Sequence, residues 1–115
     1  MPVTKEYRAE TITLLNQVSE VTDRAMFGGV GLYCGGLFFA LMDNDKLYFK
    51  VDDTNRGDFE SAGMGPFYPF GDESMVMQYY QVPDAVLDDP QTLRDWISKS
   101  VEVARLKKQN KGKKK

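Results

Sequence analysis

The stretch MFGGVGLYCGG, residues 26–36, places five glycines within eleven positions and is the first segment whose composition could bind a ligand. A dinucleotide fingerprint needs G-x-G-x-x-G at the start of a helix, but Gly29-Val30-Gly31 is followed by a glycine only at position 35. A P-loop needs Lys and then Ser or Thr after its last glycine, and Leu37 follows Gly36 instead. The segment therefore predicts a bulged or sharply bent strand and a tight turn, with no phosphate site.

Catalytic residue types are scarce. The chain has no histidine, which excludes the Ser-His-Asp and Cys-His constellations, and its one cysteine, Cys34, has no cation beside it in sequence. Asp43, Asn44 and Asp45 lack the Gly and Glu of a calcium loop, so they are interpreted as turn residues. The sequence predicts no catalytic residue, no metal ligand and no cofactor.

A small-molecule-binding or enzymatic alternative stays open. Such a site would use carboxylates together with Tyr79, Tyr80 or Lys50; the carboxylates are Asp52, Asp53, Asp58 and Glu60. The aromatic residues of the predicted sheet could also stack nucleobases, although a buried sheet face explains them better; they are Tyr33, Phe38, Tyr48, Tyr79 and Tyr80.

The elements that would position these groups follow from periodicity. Apolar residues at helical spacing predict a helix over 4–22, with Thr4 as its cap. The runs LYC, LFFALM and LYFKV, separated by GG and DNDK, predict three antiparallel strands. A short helix in DDTNRGDFESAG would be capped by Asp53 or Thr54, bury Phe59 and Ala62, and end at Gly63.

The second half continues in the same manner. GPFYPFG predicts an edge strand or loop, MVMQYYQV a strand, and PDAVLDD one helical turn. A last helix, capped by Asp89 and starting at Pro90, should run to about Lys108. The predicted fold class is α+β, a two-layer α/β sandwich on an antiparallel sheet in the order α-β-β-β-α-β-β-α.

Charge divides the 115 residues into a body and a tail. Six of the fifteen basic residues lie at the C-terminus; they are Lys107, Lys108, Lys111, Lys113, Lys114 and Lys115. The rest of the chain has nine basic and seventeen acidic residues, a net charge of −8. We expect residues 109–115 to be a disordered lysine-rich tail that either keeps the protein soluble or binds DNA weakly and non-specifically. The lone cysteine and the lack of long apolar runs favour a cytoplasmic protein without a membrane segment.

Short motifs spread over the chain resemble one family. Those motifs are Met26-Phe27-Gly28-Gly29, Gly31, Phe39-Ala40, Leu47-Tyr48-x-Lys50, Phe59, Gly63, Pro66-Phe67, Met77-x-Tyr79-Tyr80 and Val82-Pro83. Together they resemble the N-terminal domain of the TfoX/Sxy competence regulators, over residues 1–108. The resemblance implies a secretion-chaperone-like fold and a non-enzymatic regulatory module, related to transcriptional coactivators of bacterial competence. It also implies a homodimer with a transcription-factor partner.

Overall fold

The computed structural model describes residues 3–26, 29–67 and 77–113. Four helices and six strands occur in this part of the chain, in the order α1 Lys5–Asn16, β1 Thr22–Met26, β2 Gly29–Cys34, β3 Leu37–Asp43, β4 Lys46–Lys50, α2 Arg56–Ser61, β5 Pro66–Phe67, β6 Met77–Gln81, α3 Asp84–Leu87 and α4 Pro90–Lys113. All strands join one antiparallel sheet in the order β1-β2-β3-β4-β6-β5. The predicted α+β class is confirmed.

The first helix is shorter than predicted, and a strand follows it. The Asn16 side chain donates to the carbonyls of Ile12 (2.9 Å) and Val21 (3.1 Å) and accepts from the Val21 amide, so it ends α1 and turns the chain. Residues 17–22 are therefore not helical, and Thr22–Met26 forms β1. The predicted helix over 4–22 is wrong beyond Asn16, and four strands rather than three precede α2.

The start of α1 is fixed to the β3–β4 turn. Thr4 caps the helix as predicted, because its hydroxyl accepts from the Tyr7 amide at 3.1 Å. The Asp45 carboxylate in turn accepts from the Thr4 amide (2.8 Å) and hydroxyl (3.0 Å). Asn44 and Asp45 have φ of 53° and 57°, which confirms them as residues of a tight hairpin turn.

The second helix differs from the prediction at its ends. Its N-cap residue is Asn55, not Asp53 or Thr54. The Asn55 side chain forms no capping hydrogen bond and instead accepts from the Asp52 amide and donates to the Lys50 carbonyl. Ala62 is exposed rather than in the core, since the helix has already ended at Ser61. Phe59 is buried, and Gly63 follows the C-cap with φ of 80°, both as predicted.

The last helix begins as predicted and ends later. The Asp89 carboxylate accepts from the Gln91 amide and the Thr92 hydroxyl, and these bonds lower the pKa of Asp89. The helix continues to Lys113 rather than stopping near Lys108, and its last turns lie beyond the apolar stripe. The disorder expected for residues 109–115 stays a prediction.

One face of the sheet packs against the helices. Register pairs Val30 with Met42 and Leu32 with Ala40, so these side chains share a face, and all four are buried. Phe49, opposite Ala40, extends this face to β4. One core cluster joins these strands to buried residues of the helices, namely Leu15, Phe59, Val86, Leu93, Ile97 and Ala104. We call this side of the sheet the core face.

Candidate interaction face of the sheet

The glycine-rich segment forms a strand and a turn. Gly29 begins β2, where a Cβ atom would lie 2.5 Å from the Met42 carbonyl oxygen of β3. The register shifts at Leu32/Tyr33, and Gly35 and Gly36 follow with φ of 60° and 82° before β3 begins. The predicted bulged strand and tight turn are confirmed, and the segment leads into a strand rather than into a phosphate-binding helix N-terminus.

The candidate carboxylates stabilise local structure. Asp52 accepts from the Thr54 amide and hydroxyl, Asp58 pairs with Lys99 at 2.8 Å, and Glu60 accepts from the Tyr80 hydroxyl at 3.1 Å. Asp53 forms an ion pair with Arg56. Within residues 3–26, 29–67 and 77–113, no group of acidic, cysteine or histidine side chains could hold a metal ion.

Cys34 is a packing residue. It ends β2, is partly buried and packs against the core cluster as a free thiol. Its neighbour in the ladder is Leu37, across the glycine turn. This position agrees with the interpretation of Cys34 as a small strand residue.

The other face of the sheet carries most of the aromatic residues singled out in the sequence. Register pairs Tyr33 with Phe38, Gly31 with Leu41, and Leu41 with Tyr48. The same face continues through Lys50, which is paired with Tyr79 on β6. Because opposed residues of an antiparallel pair point to the same side, these side chains lie opposite the core face. We call this surface the open face.

Tyr80 is separated from the other aromatic residues. It lies opposite Phe49 and packs on Phe59 of α2, with ring centroids 6.0 Å apart, so it belongs to the core face. Tyr79 and Tyr80 are consecutive residues of the predicted strand, which places them on opposite faces, and the structure confirms this. The structure therefore does not bring these two hydroxyls together.

The rings of the open face form a continuous contact series. Tyr33 stacks on Phe38 with centroids 5.2 Å apart, and Phe38 contacts Tyr79 at 5.8 Å. The Lys50 ammonium lies 5.2 Å from the Phe38 centroid and 5.6 Å from that of Tyr79, within cation–π range. A second contact joins Tyr48 to Phe67 of β5, at 4.8 Å.

Burial and charge set the chemistry of this face. Tyr79 is 6% exposed, whereas Tyr33, Phe38, Leu41, Tyr48 and Phe67 are only partly buried. None of these residues belongs to the core cluster. Burial raises the pKa of Tyr79 and of Tyr48 above the ordinary tyrosine value, so both phenols stay protonated at neutral pH. The open face therefore offers apolar rings for packing rather than acid–base groups.

Two members of the open face were not predicted. Leu41 belongs to the run LFFALM, which is apolar throughout, so the sequence does not reveal which of its residues face the helices. Phe67 was placed in an edge strand, but its contact with Tyr48 depends on β5 joining the sheet beside β6.

The predicted nucleic-acid residues lie on and beyond the end of α4. Lys107 is exposed, and the helical backbone includes Lys108, Lys111 and Lys113. Lys114 and Lys115 lie outside the described residues. Leu106, just before them, is 37% exposed.

The comparisons assign the chain to a family. None of the helices in the part of the chain that the structure describes is long and apolar enough to cross a membrane. Comparison with curated proteins finds no match. The family model described as the TfoX N-terminal domain matches residues 13–104, which is most of the 115-residue chain and includes every strand of the sheet. The chain therefore belongs to the TfoX N-terminal domain family.

Proposed function

We propose that this protein is a non-enzymatic regulatory module that acts through protein contacts, is related to competence regulation, and pairs with a second copy through its open face. Membership of the TfoX N-terminal domain family supports a competence-related regulatory role. That family is not a known enzyme family, which supports the non-enzymatic part of the proposal. The observation that carries the proposal is the open face itself.

The open face is apolar where a sheet face in water would be polar. In an antiparallel sheet with one face in water, apolar and polar residues normally alternate along each strand. Here the core face is apolar, and the open face also carries apolar side chains, among them Phe38, Leu41 and Tyr48. Covering partly buried aromatic rings is favourable by about 25 cal/mol per Å² of apolar area. Aromatic residues are also the type most enriched at protein interfaces.

A second copy is the occupant that this surface fits best. A twofold axis brings the same surface of both copies together. The aromatic rings of one open face would therefore pack against the aromatic rings of the other. The lysine-rich end of α4 lies on another element and would remain available to weak, non-specific DNA contact or to a transcription-factor partner.

Sedimentation of the full chain at micromolar concentration tests the pairing. We expect a dimer, and we expect Leu41→Lys to raise its dissociation constant at least about tenfold, because a charge would be buried between two apolar faces. Leu106→Lys is the matched control, since Leu106 is exposed on α4, and it should leave the dimer intact.

Two results would contradict the proposal. A monomer at all concentrations would mean that the open face is covered in another way. A dimer that survives Leu41→Lys but dissociates in Leu106→Lys would place the interface on α4. Circular dichroism of each variant separates a lost interface from a lost fold.

A further inference from the structure

A groove separates the first helix from the edge of the sheet. It measures about 410 Å³ and is lined by Lys5, Arg8, Ala9, Ile12, Thr13 and Asp23. The first four of these stand at positions i, i+3, i+4 and i+7 of α1, and thus on one side of that helix. Its volume falls within the range of about 300–1,000 Å³ that is typical of binding clefts.

One wall of the groove is an open sheet edge. β1 is the outermost strand and pairs only with β2 among the strands that the structure describes. Its residues Thr22, Asp23, Arg24 and Ala25 are all exposed. Half of the backbone N–H and C=O groups of such a strand point away from the sheet, and they can pair with an added strand.

The groove is apolar at its centre and basic at its rim. Ala9 and Ile12 supply the apolar surface, and Ala9 is exposed although it lies inside a helix. Arg8 crosses from α1 to Asp23 on β1 at 2.7 Å and neutralises the one acid of the lining. Lys5 has no ion pair with any side chain in the part of the chain that the structure describes, so the lining has a net charge of +1 in a body that is otherwise acidic.

Arg24 adds a cation on the other side of the same strand. It lies opposite Gly31 and therefore on the open-face side of β1, whereas Asp23, opposite Leu32, lies on the core-face side with α1. An extended chain laid along β1 would alternate its side chains between these two environments. Both environments present a basic residue to it.

Two registers in which a second copy could pair with this edge are unfavourable. Antiparallel self-pairing about a twofold axis at residue 24 would oppose Arg24 to Arg24, and pairing about residue 23 would oppose Asp23 to Asp23. Like charges directly opposite each other destabilise a strand pair. An acidic chain of different sequence has neither conflict and gains the attraction of Lys5 and Arg24.

We infer that the β1 edge and the α1 groove form a docking strip for an extended acidic peptide segment of a partner protein, which adds to the sheet as a seventh strand beside β1. Main-chain hydrogen bonds would give affinity, the Ala9–Ile12 surface would accept small apolar side chains, and Lys5 and Arg24 would select for acids. Arg24 is the one member of this strip on the open-face side of the sheet, and the inference does not rest on the proposed dimer.

Peptide titration of the full chain, followed by amide NMR, tests the inference. The probe is an acetylated and amidated hexapeptide of alternating glutamate and valine, and a lysine–valine peptide of equal length is its counterpart. We expect saturable binding of the acidic peptide below about 1 mM, no binding of the basic one, and slowed amide exchange at residues 22–26. The acidic peptide with N-methylated alternate amides should not bind, because it cannot complete the ladder.

Paired variants separate the parts of the strip. The double change Lys5→Glu/Arg24→Glu should weaken the acidic peptide at least about tenfold, whereas Arg94→Glu/Lys107→Glu, with the same change in charge on α4, should not. Ala9→Trp should fill the groove and abolish binding, while Ala85→Trp, at an exposed position of α3, should leave it unchanged. Each of these substitutions is at a partly or fully exposed site, so the fold should survive.

The inference is overturned if the acidic peptide does not bind, or if the N-methylated peptide or the Ala9→Trp variant binds as well as the originals. If amide exchange at residues 22–26 slows as the protein concentration is raised without peptide, the edge pairs with a second copy instead. The same titration with Leu41→Lys distinguishes the two proposals, because loss of the dimer should leave peptide binding intact.

Discussion

Replacing Gly29 by alanine tests whether the glycine-rich segment serves the backbone. The added Cβ would stand 2.5 Å from the Met42 carbonyl oxygen, closer than real Cβ contacts, and this neighbour is backbone of the central strand β3. Main chain cannot rotate away as a flexible side chain can, so β2 and β3 must separate locally. Such overpacking costs typically about 1–3 kcal/mol.

That cost is large enough to measure by thermal unfolding. With an unfolding entropy of about 2.1 cal/mol/K per residue, a chain of this length loses about 4 °C of Tm for each kcal/mol. Gly29→Ala should therefore lower Tm by about 4–12 °C. Gly57→Ala is the matched control, because Gly57 lies in α2 with no atom within 4 Å of an added Cβ, and it should raise Tm by about 2–4 °C.

Nucleotide addition completes the same assay. A ligand at a hundred times its Kd would stabilise the fold by about 2.7 kcal/mol, or about 11 °C. We expect ATP and NAD to cause no shift in the wild-type chain. A saturable rise with either nucleotide that Gly29→Ala removes would refute the backbone explanation, as would a Gly29→Ala protein as stable as the wild type.

Three further predictions concern pH, a buried amide and the lysine-rich end. Burial raises the pKa of Tyr79, so the unfolded chain ionises first, and stability should fall above about pH 10 by up to about 1.4 kcal/mol per pH unit. Urea unfolding at successive pH values should show a shallower fall for Tyr79→Phe. Asn55→Ala removes the hydrogen bonds that the buried Asn55 side chain makes to the Asp52 amide and the Lys50 carbonyl. It should lower the free energy of unfolding by about 1–3 kcal/mol. Gln17→Ala, at an exposed position, should be nearly neutral in the same assay. If the lysine-rich end binds DNA, truncation after Leu106 should abolish that binding and leave Tm nearly unchanged, and the log–log salt slope of the full chain should be no steeper than about −5. Undiminished DNA binding by the truncated chain would exclude the tail.

Strands β2–β4 could be predicted from the sequence because turn-forming residues mark where one strand ends and the next begins. Gly35-Gly36 and Asn44-Asp45 both adopt positive φ, which glycine and Asn or Asp tolerate and which two-residue hairpins require. The cap at Asp89 and the C-terminal glycine at Gly63 were predictable for the same reason: each signal is local and chemically specific.

β1 was missed because its information is tertiary. TDRAM has only one β-branched residue and alternates weakly, while Val18 and Val21 continue the helical spacing of Leu14 and Leu15. What ends the helix is Asn16, whose amide bridges Ile12 and Val21. A single Asn within a helical pattern does not indicate that the helix ends there. The groove beside β1 could not be predicted because β1 itself was not.

The composition of the open face depends on one irregularity in β3. Simple alternation along LFFALM would place Phe38, Ala40 and Met42 on one side of the sheet and Phe39 and Leu41 on the other. The bulge opposite Leu32/Tyr33 breaks this order, so that Tyr33 pairs with Phe38 while Leu32 pairs with Ala40. Phe39 and Ala40 are consequently both fully buried at the core, and Phe38 lies on the open face against Tyr33 and Tyr79. The extra residue of the bulge therefore places both Phe39 and Ala40 in the core. It also places Phe38 on the open face, where its ring contacts both Tyr33 and Tyr79. Strict alternation of side chains along the sequence cannot predict this arrangement, because the arrangement depends on how β3 pairs with β2.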